Sequence, residues 1–183
     1  MEMVDLLALD LVEKRLVTDQ IVLTIGYDIE NLTDPERNKA YHGPVKTDHY
    51  GRRVPQHAHG TINLGKYTSS TKKMTDAVLE LFERIVNPKL LIRRVTMSAN
   101  HVIEENNIPL ENIYEQMDLF TDYETRDSLL KAENQALERE KKMQQAVLDI
   151  KKKYGKNAIL KGMNLQEGAT TVDRNNQIGG HRA

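Results

Sequence analysis

The sequence predicts an α+β chain: an antiparallel sheet with two helices on one face, followed by a long C-terminal helix and a flexible tail. Three stretches carry this reading. Gly60–Ile103 runs strand, turn, helix, turn, strand. Gln20–Tyr27 alternates as a strand does and follows an apolar segment of helical pattern. Asp127–Lys153 is a long, densely charged run whose apolar residues recur at roughly heptad spacing.

Each element follows from its side-chain periods. Met3–Val17 reads as a first helix, with Val4, Leu7 and Leu11 on one stripe and Leu9, Val12 and Leu16 on its neighbour. In Gln20–Tyr27, Ile21, Leu23 and Ile25 share one face, while Val22 and Thr24 share the other. Asp28–Gly60 is rich in Pro, Gly, His and Asp and shows no period, so it reads as a long loop, or as a loop holding short unrecognised pieces. Thr61–Leu64 places Ile62 and Leu64 on one strand face. Tyr67–Thr71 is a polar turn, and Met74, Val78, Leu81, Phe82 and Ile85 then fall at helical spacing until Asn87-Pro88 stops the helix. Leu90–Ala99 is extended. If it is regular, Leu91, Val95, Met97 and Ala99 share one face, and Ile92, Arg94, Thr96 and Ser98 share the other, with Arg93 opposite Arg94. Leu129, Ala132, Ala136, Met143, Ala146 and Ile150 form a thin stripe along Asp127–Lys153, and Tyr154-Gly155 reads as its end. Lys156–Ala183 reads as loosely ordered when alone.

Composition narrows the function classes. The 183 residues suffice for one ordinary domain with extensions, and the aromatic content of 5% points to a modest core. The net charge of −1 hides a strong pattern. Residues 1–50 hold five basic and ten acidic residues, and residues 51–100 hold nine basic and three acidic, a balance of +6. Residues 101–120 carry five acids and no Lys or Arg. A positive block on sheet-forming sequence is the footprint of a polyanion contact, weighed here against an ordinary solvated face. There is no cysteine, hence no disulfide framework and no thiolate metal site, as suits a cytoplasmic chain. There is no run of 18 apolar residues, and Met1–Leu11 has acids where a signal peptide needs positive charge, so no membrane partner is expected.

Several constellations carry candidate chemistry. Arg94, Thr96 and Ser98 share one strand face, where a guanidinium and two hydroxyls suit phosphate. Lys66, Thr68, Ser69, Ser70, Lys72 and Lys73 surround the turn into the second helix, where unpaired amide donors, hydroxyls and lysines suit an anion, with an ordinary helix cap as the alternative. Arg52 and Arg53 lie in the long loop. His42, His49, His57 and His59 cluster in sequence, yet their spacing fits no standard zinc site, so they read as loop histidines. Asp28, Glu30 and Asp34 lie near one another but are not expected to hold a catalytic metal. Neither a G-x-S-x-G nucleophile elbow nor a G-x-x-x-x-G-K-[ST] phosphate loop is present.

Certain stretches resemble one family. Ile21–Ile29, Gly51-Arg52-Arg53, His59-Gly60-Thr61 through Thr71, and Ile92–Ser98 resemble the little finger domain of Y-family translesion DNA polymerases, most closely the UmuC-like repair polymerases of Gram-positive bacteria. Lys153–Ala158 and Asn176–His181 resemble their tail. The resemblance implies a little finger with its open sheet face on duplex DNA and adjacent arginines, here Arg93 and Arg94, along the backbone. It also gives Gln116-Met117-Asp118-Leu119-Phe120 a meaning: the pentapeptide resembles the bacterial sliding-clamp-binding motif. Gln116 would supply directed hydrogen bonds, Leu119 and Phe120 apolar anchors, and Met117 a neighbouring subsite.

The resemblance implies residues 1–105 as the little finger, lacking the family's first strand, 106–125 as a linker with the clamp motif, 126–155 as the charged helix and 156–183 as the tail. The family's palm, with its metal-binding carboxylates, has no counterpart here. The expectation is therefore a non-catalytic DNA-binding and clamp-binding region, cofactor-free itself, of a polymerase whose magnesium sits in the missing palm. Its partners would be duplex or primer-template DNA, the sliding clamp and the absent catalytic region, in a nucleoid-associated cytoplasmic setting. A second copy is a candidate donor of the missing strand, through self-association. Two alternatives stand beside this: a stand-alone nucleic-acid-binding accessory protein, and an interaction module working through Asp127–Lys153.

Overall fold

The computed structural model describes residues 1–109, 123–178 and 181–182. The chain is α+β. It begins with α1 (Glu2–Lys14), β1 (Leu16–Tyr27), α2 (Glu30–Thr33), α3 (Pro35–Ala40), β2 (Val45–Thr47) and β3 (Arg53–Pro55). It continues with β4 (Ala58–Thr68), α4 (Thr71–Ile85), β5 (Ile92–Asn100) and β6 (Ile103–Glu104). The C-terminal part holds α5 (Tyr123–Tyr154), α6 (Thr171–Asn175), β7 (Gln177–Ile178) and β8 (His181–Arg182). Within the described residues no helix is long and apolar enough to cross a membrane. Contacts divide the chain into a sheet unit, Thr18–Thr68 with Lys72–Val102, and a helical unit, Met1–Val17 with Ser69–Thr71 and Ile103–Ala183. The grouping cuts across the linear expectation of one domain over residues 1–105.

In the sheet unit β1 lies between β4 and β5, antiparallel to both. Ile21, Leu23 and Ile25 are essentially fully buried, as their alternation predicts. Opposite them stand Ala99, Met97 and Val95 on β5, and Ile62, Gly60 and Ala58 on β4. Helix α4 contributes buried Met74, Val78 and Leu81. A Cβ on Gly60 would lie 2.9 Å from Leu81 Cδ1 and 3.1 Å from Ile85 Cγ2, so the bare glycine lets this helix approach the strand. Fully burying each large apolar side chain here is worth about 1.5–3 kcal/mol.

The long loop holds more structure than its aperiodic sequence predicts. Asp34 accepts a hydrogen bond from the Arg37 amide at 2.8 Å and Pro35 opens α3, a paired start signal for a short helix. β2 and β3 form a hairpin, with Lys46 opposite Val54 and Thr47 opposite Arg53. Buried Asn31 ties this segment down. Its amide donates to the carbonyls of Asp28 and Leu91, both at 2.9 Å, and its carbonyl accepts from the Leu91 amide at 2.8 Å.

In the helical unit α1 is shorter, and β1 longer, than their apolar stripes predict. Arg15 takes a left-handed conformation, φ 54°, and its amide returns to the carbonyls of Leu11 and Val12. Leu16 and Val17 therefore leave the helix and pair with Glu104 and Ile103 of β6. Leu9 and Val12 of α1 pack with Leu148 and Val147 of α5. The buried face of α5 includes Gln144 and Leu148, whereas Leu129 and Met143 of the predicted stripe are mostly exposed. Polar contacts fix that buried face: Gln144 donates to the Ser69 carbonyl at 3.0 Å and to the Thr71 hydroxyl at 2.9 Å. Hydrophobic spacing could not reveal a face chosen by a glutamine.

The described part of the tail is also more ordered than its composition suggests. The Glu2 carboxylate accepts from the Thr170 amide at 3.0 Å, the Thr171 amide at 3.2 Å and the Asn164 side chain at 3.0 Å. Burial pushes the Glu2 carboxyl up, but these donors and the Thr171 contact outweigh it and hold the carboxyl at about 2. Lys161 adds an ion pair to Asp5 at 2.5 Å.

Candidate nucleic-acid interface

The sheet face opposite Ile21, Leu23 and Ile25 follows from register. Thr96 of β5, Thr24 of β1 and His59 of β4 form one row. Ser98, Val22 and Thr61 form the next, and Asn100, Gln20 and Asn63 the third. Hydrogen bonds cross the strands in the first and third rows, and the middle row has the apolar Val22 at its centre. Asn100 Nδ2 donates to Gln20 Oε1 at 3.0 Å, Gln20 Nε2 donates to Asn63 Oδ1 at 2.9 Å, and Thr24 Oγ1 meets His59 Nδ1 at 2.9 Å. The result is a largely polar surface whose first and third rows are ordered by hydrogen bonds. Sequence reading placed Thr96 and Ser98 here but missed Gln20, Asn63, Asn100 and His59. The signal available was the polar parity of all three strands taken together.

At one end of this face the pairing slips. Gly26 stands opposite Arg94 but Tyr27 stands opposite Ile92, so Arg93 is an extra residue in β5. This bulge corrects the expectation of opposed arginines, which holds only for a regular strand. A bulge re-aims the side chain it inserts, and Arg93 and Arg94 line the same groove. It also moves Ile92 to the face of Tyr27, away from Arg94. Asn31, by holding Leu91 on both its amide and carbonyl, fixes the chain just before the slip. Gly26 has no side chain, and a Cβ there would sit 3.4 Å from Arg94 Cβ.

The groove has a volume of about 510 Å³. Its floor comes from Thr24, Gly26 and Thr96, and its far wall is the β2–β3 hairpin. Among the described residues four cations line it, Lys46, Arg52, Arg93 and Arg94, against one carboxylate, Asp48. That carboxylate builds the hairpin tip. Asp48 Oδ1 accepts from the amides of Tyr50 and Arg52, each at 2.9 Å, and Oδ2 accepts from Arg52 Nε at 2.8 Å and Nη2 at 2.6 Å. The Arg52 hydrogen bond is the main cause that holds the Asp48 carboxyl below its usual range. Gly51, at φ 77°, supplies the left-handed residue the turn needs. Arg52 is thus committed to Asp48 inside the groove. Arg53 lines a separate cavity beside Tyr41 and Thr33. Arg93 makes a longer pair to Asp28, 3.4 Å, with both groups partly exposed, a contact of small energetic weight.

The second predicted cluster is elsewhere. Thr68 pairs with Thr18, eight residues along β1 from the Gly26–Arg94 pair, or roughly 26 Å at strand rise. Lys66 lies in the irregular part of β4, where the pairing jumps from Gln20–Asn63 to Thr18–Thr68, and is exposed, as are Lys72 and Ser98. Lys73 follows Lys72 in the first turn of α4 and is half-buried. Ser69 and Ser70 belong to the helical unit, where Ser70 is buried and donates to Glu140 Oε2 at 2.6 Å, and the Ser69 carbonyl accepts from Gln144. A carboxylate already occupies the place expected for a phosphate on Ser70.

The remaining candidates have local roles. Asp28 caps the Glu30 amide at 2.9 Å and Asp34 caps α3. His49 packs edge-on against Tyr50, and His57 and His59 stand 6.5 Å apart, edge to face. Among the described residues no group of three or more His, Asp or Glu side chains is placed to hold a metal. The clamp-like segment Gln116–Phe120 lies outside the described residues. No family model, curated protein or solved structure matches this chain.

Proposed function

We propose that this chain is a non-catalytic DNA-holding and clamp-recruiting region of a translesion polymerase, acting in the cytoplasm on duplex or primer-template DNA. The observation that carries the reading is the open sheet face: three rows, two of them hydrogen-bonded across the strands, ending at Arg93 and Arg94, with β4 and β5 drawn from the block with a balance of +6. Side chains that touch phosphates fix position without reading sequence. Among the described residues of the sheet unit this face is built from strand side chains, so affinity comes from the backbone and depends on salt. The family resemblance supports the polymerase context, and Gln116–Phe120 supports the clamp as partner.

The test is a titration of the whole chain against labelled duplexes of unrelated sequence at several salt concentrations, beside calorimetry against a bacterial sliding clamp. Duplex binding should be weak, nearly equal among sequences and steeply salt-dependent. Leu119→Ala with Phe120→Ala should remove most clamp binding and leave duplex binding intact. Sequence-selective or salt-independent DNA binding contradicts the DNA part of the reading. Equal clamp binding by the variant contradicts the clamp part.

A further inference from the structure

Tyr50 stands at the tip of the β2–β3 hairpin with 78% of its surface exposed. An aromatic ring so placed adds nothing to a core. Yet the tip around it is held closely: one carboxylate takes two amides and both faces of the Arg52 fork. The Arg52 guanidinium carbon lies 5.0 Å from the centre of the Tyr50 ring, and the His49 ring meets it edge-on at 5.5 Å. The ring is therefore pre-positioned, which lowers the entropy lost when a partner stacks on it. Beside it lies the groove with Lys46, Arg93 and Arg94, of a size usual for small-ligand sites.

Aromatic face, guanidinium and cationic floor together fit one chemistry. A nucleotide offers a flat π-system and an anionic phosphate joined by a short linker, and stacking on an aromatic side chain tolerates any base. We propose that the groove is a subsite for an unpaired nucleotide, whose base stacks on Tyr50 and whose phosphate rests on Arg93 and Arg94. This rests on the reading of the sheet face as a DNA surface and adds to it: the polar rows with Arg93 and Arg94 hold the backbone up to the end of the duplex, and Tyr50 stacks on the first unpaired base beyond it. A base within a duplex is already stacked and cannot present its face to Tyr50.

The experiment compares blunt duplex, the same duplex with a single-stranded overhang, and a free mononucleotide, using the whole chain as wild type, Tyr50→Ala and Tyr50→Trp. The overhang carries 2-aminopurine as its first unpaired base. Wild type should prefer the overhang over blunt duplex by about 10-fold or more, as loss of one stacked base implies, and should quench the 2-aminopurine. Tyr50→Ala should lose the preference and the quenching while binding blunt duplex as wild type does. Tyr50→Trp should keep both. Mononucleotide should bind far more weakly than the overhang; if it binds as well, the site takes free nucleotides and the strand assignment is overturned. Equal binding of overhang and blunt duplex by wild type, or an overhang preference that survives in Tyr50→Ala, overturns the subsite and leaves the duplex surface standing. If no DNA binds at all, both readings fall together.

Discussion

The arginine end of the sheet and the serine turn before α4 look alike as sequence. Each joins cations to hydroxyls, and each is a sound anion site on residue type alone. The structure treats them differently. At the arginine end a bulge turns Arg93 and Arg94 into one groove; among the described residues Asp48 is the carboxylate lining it and is committed to building a hairpin tip, and Asp28 reaches Arg93 only at 3.4 Å. At the serine turn Glu140 and Gln144 of α5 take the Ser70 hydroxyl and the Ser69 carbonyl. A candidate phosphate site is therefore decided less by what it contains than by what covers it. The covering residue can lie far off in sequence, here 70 positions away.

The comparison breaks most completely if the bulge loses its anchor. Asn31→Ala removes three hydrogen bonds and leaves the Leu91 amide unsatisfied, while the Leu91 carbonyl keeps the Asp28 amide at 2.9 Å, at an expected cost of roughly 2–4 kcal/mol. Urea unfolding should show that loss. At urea concentrations where the variant is still folded, its DNA binding should also fall, because Arg93 is no longer held beside Arg94. Leu91 stability unchanged by the substitution, read by amide exchange, would contradict the anchoring role.

A second test concerns the helical unit and its dependence on acid. Glu2 sits at about 2 in the folded chain against an ordinary value of 4.5. A depressed carboxyl contributes stability that is full above its unfolded value and is lost as pH falls from about 4.5 towards about 2. Glu2→Gln should cost about 1–3 kcal/mol at neutral pH and flatten that acid limb. Parallel pH profiles for the two proteins would show that the Glu2 network does not form as described. DNA affinity should not change, which separates this network from the sheet face.

Ser70→Ala should have the smallest effect. Removing one hydrogen bond to a carboxylate should lower stability by about 1–2 kcal/mol and leave duplex affinity and salt slope at their wild-type values. A clear drop in affinity would return Ser70 to the DNA surface and weaken the contrast between the two clusters.

The sequence showed the buried face of β1 and the helix over Met74–Ile85 clearly, because alternation and helical spacing report burial directly. It also showed the Thr96–Ser98 face. It could not show the bulge, since a slip of one residue leaves the pattern of residue types unchanged and alters only which of them face together. The hairpin tip was hidden for another reason. Asp48-His49-Tyr50-Gly51-Arg52 is too short and too polar to carry a period, and its order comes from one carboxylate's hydrogen bonds. The Gln144 face of α5 escaped partly for the same cause: Leu148 and Val147 pack on α1, but the hydrogen bonds of Gln144 leave no hydrophobic signature.

The central claim is that the arginine end of the open sheet face holds the DNA backbone. It is tested most directly by the salt dependence of duplex binding for wild type and for Arg93→Ala with Arg94→Ala. If each arginine contacts one phosphate, the double variant should bind every duplex more weakly by a similar factor, and the slope of log affinity against log salt should fall by about two units. An unchanged slope and affinity would contradict the claim and leave the polar rows as an ordinary solvated face.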